Sequence, residues 1–291
     1  MSSRLARYKR GLVSFWRTYK TNKFGISGLV MLLIFVSLAA TADLIAAIFG
    51  YSFDELRDSV LSISSITPSA LFCAICYGAR VSLIVGLAAS ASAVIIGTII
   101  GMVAGYIGGR VDEVLMRITD FIMMLPRLPL LLVLAAMWGW GAAVGLHNII
   151  LVIAVLGWTG TARVVRSQVL SLKERPFIEA ARAVGASDGY IVFKHIFPNI
   201  MPLVMTYMVL GVPGAILSEA SLTFLGLGID IQKNISWGYI LYLAWKQSYT
   251  IYWTKPWVVV PPGLCITLLT LATILMGYAM DEILNPRLRR R

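Results

Sequence analysis

Long runs of apolar residues alternate with shorter polar segments along the whole chain. Six of these runs reach the roughly 20 residues that a helix needs to cross the hydrocarbon core of a membrane. They cover approximately residues 24–49, 80–107, 127–146, 149–168, 200–218 and 257–280. This pattern predicts an all-α, polytopic membrane protein with six transmembrane helices.

Composition supports the same class of protein. Hydrophobic residues make up 58% of the 291 residues and charged residues only 13%, whereas about 25% of the residues in a soluble domain are charged. The net charge of +11 could indicate nucleic-acid binding. The cations, however, sit in separate connecting segments and form no long basic face. We therefore expect membrane lipids as partners and no nucleic acid.

Basic residues are concentrated in alternate connecting segments. Four segments carry seven, three, six and four of the 25 Lys and Arg residues: 1–23, 108–127, 163–200 and 285–291. By the positive-inside rule these four are cytoplasmic, and segments 50–79 and 219–256 are extracytoplasmic. We expect a multi-pass protein of the cell (inner) membrane with both termini in the cytoplasm.

The first 23 residues combine basic charge with a helical apolar period. Leu5, Tyr8, Leu12 and Phe15 recur every three or four residues, and the segment contains no Asp or Glu. This predicts an N-terminal amphipathic helix on the inner membrane surface, before the first transmembrane helix at 24–49. The alternative is a flexible basic tail. A shorter basic cytoplasmic tail follows at 285–291.

A long polar run, residues 172–202, separates two predicted spans and has its own helical pattern. Pro176 suits the first turn of a helix, where its missing N–H is no loss. Gly185 is expected to end this helix in the left-handed region. Between them, apolar residues fall at i, i+3, i+4 and i+7, on one face: Phe177, Ala180, Ala181 and Val184.

A second short helix should follow at once. Ser187 can cap it and Asp188 suits its first turn. We expect Pro198 and Pro202 to disturb this helix. The result would be a helix–turn–helix between two spans, with an apolar stripe that faces something outside the bilayer.

Small residues and cysteines carry weaker signals. Gly97, Gly101 and Gly105 repeat every four residues, as in helices that pack closely. Cys73 and Cys76 form a CxxC that could be a redox pair or half of a metal site, but neither a second CxxC nor a His cluster accompanies it. We interpret both as small apolar residues of a helix, and we expect no metal site.

Few polar groups lie within the spans or near their outer ends. Asp43 and Glu219 are the only carboxylates expected there, both near the outer edge. For Glu219 we consider two roles, shaping an outer gate and snorkelling at the interface. Four tryptophans of the outer region could stack on a solute, but interfacial anchoring explains them more simply: Trp237, Trp245, Trp253 and Trp257.

Several motifs resemble one protein family. Glu179-Ala180-Ala181, Gly185 and Ile196-Phe197-Pro198 are similar to the EAA loop of permease subunits of binding-protein-dependent ABC importers. SEASLTFLGLG at 218–228 and SWG at 236–238 resemble the dipeptide, oligopeptide and nickel branch. The basic N-terminal helix and the extra first span are typical of its C-type subunit. The segment before Tyr77 departs from the family pattern, which affects the expected docking surface or substrate class.

The resemblance implies a type I ABC importer permease fold, with a core at 80–284 and a coupling loop at 172–200. It implies that a second permease subunit completes a heterodimer, that two cytoplasmic ATPases bind below, and that an extracytoplasmic binding protein delivers the solute. The coupling residues would be Pro176, Phe177, Glu179, Ala180, Ala181, Arg182 and Gly185. The outer gate would be formed by Ser218, Glu219 and Ser221.

The chain itself has no G-x-x-x-x-G-K-[ST] sequence and no evident catalytic constellation. We therefore expect no enzyme activity, no catalytic residue and no cofactor in this chain, and ATP hydrolysis on the partner subunits. The solute would be a di- or oligopeptide; oligosaccharides are the alternative within the same machine. The third hypothesis is a secondary transporter or channel. Against it, the predicted spans lack the deep carboxylates that ion coupling usually needs.

Overall fold

The computed structural model describes residues 16–138, 145–230, 232–247 and 250–284. Most of the predicted N-terminal amphipathic helix and the whole basic tail at 285–291 therefore lie outside the described residues. Residues 16–21 are helical and lead directly into the first long helix.

Helices form nearly all of the regular structure in these ranges. In chain order they are α1 (Lys23–Ala40), α2 (Ala42–Ile48), α3 (Phe53–Leu61), α4 (Pro68–Ile107), α5 (Gly109–Met124), α6 (Arg127–Trp138), α7 (Leu146–Lys173), α8 (Pro176–Ala183), α9 (Asp188–Ile191), α10 (Phe197–Phe224), α11 (Trp237–Gln247), α12 (Ile251–Thr254) and α13 (Pro256–Leu284). A 3₁₀ turn lies at Ile63–Ser65, and a π-helical turn at Val192–Ile196 joins α9 to α10.

Five of the described helices are long and apolar enough to cross a membrane: α1, α4, α7, α10 with the turns before it, and α13. A sixth crossing exists only if α5 and α6, which meet at 96°, count as one broken span. The predicted third span at 127–146 begins with α6, whose 12 residues cover about 18 Å at 1.5 Å per residue. That length is too short to cross the core, and residues 139–144 are not described.

Helix α4 is much longer than a membrane crossing. Its 40 residues extend for about 60 Å, twice the thickness of the hydrocarbon core. The apolar helix that the sequence predicts from about Pro68, at the end of the outer segment, therefore runs without a break into the predicted span at 80–107, as one helix from Pro68 to Ile107. The N-terminal part of α4 supports α3, α11 and α12, which form an apolar cluster with it.

The apolar cluster that α3, α11 and α12 form with the N-terminal part of α4 is called the outer cluster here, because the predicted orientation places it on the extracytoplasmic side. Specific contacts hold it together. Trp237 is completely buried and its Nε1 donates to the carbonyl oxygen of Ile75 at 2.9 Å. Its ring lies where a β-carbon on Gly78 would have to be. Both roles considered for this tryptophan are therefore wrong, because its side chain packs helix against helix. Lys255 Nζ donates to the carbonyl oxygen of Ser64 at 2.5 Å and ties α13 to the 3₁₀ turn.

At the opposite end of the bundle, hydrogen bonds join the ends of the long helices in pairs. Asn22 Nδ2 donates to Glu282 Oε2 at 2.6 Å, which brings the start of α1 beside the end of α13. Lys173 Nζ donates to the carbonyl oxygen of Tyr106 at 2.7 Å, which joins the ends of α7 and α4. The described parts of the predicted cytoplasmic segments near these residues therefore lie at the same end of the bundle.

The three predicted packing glycines all face α7. A β-carbon on Gly97 would lie 2.5 Å from the carbonyl oxygen of Trp158, and one on Gly101 would lie 2.5 Å from that of Ala162. At Gly105 the nearest atom is the carbonyl oxygen of Arg166, at 2.9 Å. The backbones of α4 and α7 therefore approach more closely than any side chain at these positions would allow.

Candidate functional site

The coupling segment, residues 176–196, sits at the end where α4, α7 and α10 meet. Buried Ile178 and Ala181 anchor α8, and buried Ile191 and Ile196 anchor the turns that follow. They form one apolar cluster with side chains of those three long helices: Val94, Val165, Val169, Leu172, Ile200 and Val204. The segment is thus attached to the ends of the membrane helices through its own core.

The turn between α8 and α9 has the geometry that the sequence predicted. Pro176 begins α8, and Gly185 has φ +83°, in the left-handed region that favours glycine. Ser187 caps α9 by accepting a hydrogen bond from the Tyr190 amide at 3.4 Å. Asp188 accepts a hydrogen bond from the hydroxyl of Tyr106 at 2.5 Å, which fixes the turn to the end of α4.

The expected disturbance of the second helix at its prolines is seen in part. The α-helical pattern of α9 ends at Ile191 and gives way to a π-helical turn at Val192–Ile196, which ends two residues before Pro198. The chain nevertheless stays helical, because α10 begins at Phe197 and runs through Pro202. The helical structure is therefore continuous from the second coupling helix into the fifth predicted span.

The outward surface of the coupling segment is partly apolar. Val184 is 85% exposed and Phe193 is 73% exposed. Phe177, Glu179, Ala180, Arg182 and Gly185 are also exposed. The predicted apolar stripe is thus divided. Ala181 is buried together with Ile178, while the other three residues of the stripe are exposed: Phe177, Ala180 and Val184. Sequence reasoning missed Ile178, although its spacing of three from Ala181 is a helical signal for an inner face.

Cationic and aromatic side chains hold α8 against the end of α4. Lys173 Nζ lies 5.6 Å and the Arg182 guanidinium carbon 5.9 Å from the centre of the Tyr106 ring, within cation–π range. His195 packs against both Phe177 and Tyr190, at ring-centre distances of 6.1 and 5.6 Å. The two short helices therefore hold their orientation relative to the bundle.

The three predicted gate residues lie inside α10. Glu219 is completely buried; Thr223 Oγ1 donates to its Oε1 at 2.9 Å, and Oε2 has no partner among the described residues. The snorkelling alternative is therefore wrong, because α11 covers this turn of α10. Ser218 and Ser221 donate to carbonyl oxygens one turn back in their own helix. A gate role for these residues stays a prediction.

Asp43 lies at the end of the bundle opposite the coupling segment, which the predicted orientation makes the outer end. It accepts hydrogen bonds from the Tyr77 hydroxyl at 2.6 Å and from Arg80 at 3.0 Å. These contacts tie α2 to α4 directly beside the segment that departs from the family pattern. In that segment Arg57 pairs with Asp54 and Asp58 on its own helix, α3.

The cysteines show no sign of paired chemistry. Cys73 and Cys76 are buried free thiols on one face of α4. Within the part of the chain that the structure describes, no group of three or more His, Cys, Asp or Glu residues could hold a metal ion.

Helix α5 follows a course that the sequence did not indicate. It crosses one part of α7, where Arg166 forms a two-point ion pair with Asp112 and Arg163 pairs with Asp120. The segment 108–127 therefore does not end among the cytoplasmic loops. Its last residue, Arg127, reaches a cavity of about 260 Å³ between α4, α7 and α10. Arg127, which the charge count places with the cytoplasmic cations, therefore lies nearer the middle of the bundle than the end that carries the coupling segment.

A family model described as "Binding-protein-dependent transport system inner membrane component" matches residues 97–290. The match includes the coupling segment, α10 and the α5–α6 bend. It covers more than half of the chain.

Individual relatives are similar over nearly the whole length. The chain is 34% identical to the dipeptide transport system permease protein DppC of Bacillus subtilis, over 94% of this chain and 85% of that protein. It is 32% identical to the oligopeptide transport system permease protein OppC of the same species, over 96% and 92%. It is also 32% identical to the glutathione transport system permease protein GsiD of Escherichia coli O6:K15:H31, over 94% and 90%. The helical bundle, the coupling segment and these matches together place the chain in the family of binding-protein-dependent transport system inner membrane components.

Proposed function

We propose that this chain is one of two permease subunits of an ATP-driven importer for di- and oligopeptides. With a second, similar permease it would form the translocation pathway. An extracytoplasmic binding protein would deliver the solute, and ATP would be hydrolysed on two cytoplasmic partner subunits. The observation that carries the proposal is the coupling segment, which joins an exposed apolar surface to a buried core shared with three long helices.

The coupling segment can transmit force because it is fixed on one side and free on the other. Ile178 and Ala181 are buried against the bundle, while Val184 and Phe193 are exposed. An exposed apolar surface of this kind usually marks a contact with another protein. If an ATPase bound here, its closure would move the segment together with α7 and α10 as one body.

Individual residues of the segment receive defined roles in this proposal. Glu179 would form a charged contact with the ATPase, with Arg182 beside it. The small side chains of Ala180 and Ala181 would allow close approach between helices. Pro176 would set the start of the first coupling helix, and Gly185 would set the turn after it. Phe177 would form the apolar edge of this helix.

The proposed orientation places the coupling segment and both chain termini in the cytoplasm. The outer cluster around α3, α11 and α12 would then face the binding protein. Support comes from the positive-inside distribution of basic residues and from the contacts that gather the coupling segment, the start of α1 and the end of α13 at one end.

Peptides are the best-supported solute class. The relatives reported above are named for transport of dipeptides, oligopeptides and glutathione, which is itself a small peptide. Their similarity extends through the outer cluster as well as the coupling segment. Import of oligosaccharides remains the alternative that the altered outer segment first suggested.

The direct test is purification of the tagged chain from its native host in mild detergent, followed by identification of the proteins that accompany it. We expect a second permease, two ATPases and a binding protein that binds peptides when screened against peptides and oligosaccharides. A chain that purifies alone and moves solute in liposomes without ATP would contradict the proposal in favour of a secondary transporter or channel.

A further inference from the structure

Arg127 occupies an unusual place for a cation in this bundle. It lines the cavity between α4, α7 and α10 together with Ser90, Gly157 and Gly214. Its Nη1 lies 3.8 Å from the position that a β-carbon on Gly214 would take. Gly214 is far from either end of α10, roughly 25 Å from its start and 15 Å from its finish at 1.5 Å per residue. The guanidinium therefore lies at mid-depth in the bundle.

No described residue forms an ion pair or hydrogen bond with this guanidinium. The other arginines in this region, Arg163 and Arg166, each pair with an aspartate of α5. A positive charge held at membrane depth without a counter-charge is costly, and such residues generally mark a solute or ion pathway. The absent partner of Arg127 is therefore expected to come from outside this chain.

The surroundings of Arg127 favour a passing solute. Four of the cavity's lining residues are glycines, Gly157, Gly160, Gly211 and Gly214, and the Arg127 guanidinium lies beside one of them, Gly214. A second cavity of about 300 Å³ begins on the other side of the same arginine, toward Ile122 and Leu156. Arg127 thus lines both cavities, which also share Gly157 and Gly160, and its side chain is exposed.

We propose that Arg127 is a solute-contacting residue of the translocation pathway that binds carboxylate groups of the transported molecule. A guanidinium presents a planar pair of N–H donors that fits a carboxylate in a two-point arrangement. On the proposed function, on which this inference rests, every unmodified peptide carries such a group at its C-terminus. Arg127 would replace part of the hydration that this carboxylate loses inside the bundle, while open space around it would allow release.

The test uses the complete importer in proteoliposomes with its binding protein. The probes are the tripeptide Ala-Ala-Ala and its C-terminal amide, each supplied at a concentration that saturates the binding protein. The variants are Arg127→Gln, which removes the charge, and Arg127→Lys, which retains it. Arg117→Gln is the matched control, because Arg117 is an exposed arginine of α5 whose nearest carboxylate, on Glu113, is 3.9 Å away.

We expect Arg127→Gln to slow uptake of the free acid by about tenfold, the loss of one charged hydrogen bond, and to change uptake of the amide less than about twofold. Arg127→Lys should keep part of the preference for the free acid, and Arg117→Gln should keep all of it. Equal loss of both peptides in Arg127→Gln would overturn the inference and point to a carboxylate of the second permease as the partner. Unchanged uptake of both would also overturn it. If the wild-type importer moved neither peptide, the proposed function would fail first.

Discussion

Single glycines decide how closely α4 and α7 can approach. At Gly101 a β-carbon would lie 2.5 Å from the carbonyl oxygen of Ala162, so even the smallest side chain forces two backbones apart. We expect Gly101→Ala to destabilise the protein by ~1–3 kcal/mol, the usual cost of overpacking. Thermal unfolding of the purified protein in detergent measures this directly.

The matched control is Gly160→Ala, on the facing helix. A β-carbon on Gly160 meets nothing within 4 Å, and alanine favours a helix over glycine by about 1 kcal/mol. The melting temperature of this control should stay unchanged or rise. Equal melting temperatures for Gly101→Ala and the wild type would show that the close approach of α4 and α7 is absent.

Charge on the coupling segment provides a second prediction at the level of one residue. Glu179 is exposed on α8, so its replacement should leave folding unchanged. If it contacts an ATPase, Glu179→Arg should lower ATP-dependent uptake by about tenfold or more, because charge reversal at an interface costs several kcal/mol. Uptake and membrane abundance should be measured together.

Glu113→Arg is the control for this experiment. Glu113 is also exposed and lies on α5, outside the coupling loop at 172–200, so the same charge change is made away from the proposed contact. Normal uptake by the Glu179→Arg protein would contradict the role proposed for this residue.

At the level of elements, α8 presents a small apolar surface that no other part of the described structure covers. Val184 is the most exposed large hydrophobic residue of that helix end. We expect Val184→Asp to weaken retention of the ATPase during purification by about thirtyfold, equivalent to ~2 kcal/mol for a central interface residue. Val184→Ile keeps an apolar contact and should retain the ATPase. Full retention by Val184→Asp would mean that the ATPase binds elsewhere.

The sequence predicted most of the coupling segment because its signals are local. Proline at a helix start, glycine with positive φ and a serine cap each act within one turn, and the structure has all three. The helix is disturbed before Pro198 but not ended there, because a π-helical turn five residues long precedes the next helix. Such a turn depends on how Ile191 and Ile196 pack, which the sequence pattern alone does not reveal.

Long-range geometry explains the other differences between prediction and structure. The N-terminal half of α4 is apolar where α3 and α11 pack against it, so the hydropathy of this half reflects burial in protein and does not by itself mark a membrane crossing. The return of α5 toward the bundle centre depends on the ion pairs that Asp112 and Asp120 form with α7. Because those partners are distant in sequence, the charge count did not indicate the depth of Arg127.

The whole molecule has two functional ends joined by long helices. One end bears the coupling segment, and the other carries the cluster of α3, α11 and α12. Helices α4, α7 and α10 connect them through close glycine contacts and the cavity that contains Arg127. This arrangement suits a subunit that transmits movement from an ATPase to a solute pathway.

Uptake by the reconstituted importer tests this central claim most directly. The chain would be assembled in proteoliposomes with the second permease, the ATPases and the binding protein that purify with it, and entry of a labelled peptide would be followed over time. The account predicts uptake that requires both ATP and the binding protein and that stops when either is withheld. Peptide entry that proceeds at the same rate through this chain alone, without ATP, would contradict it.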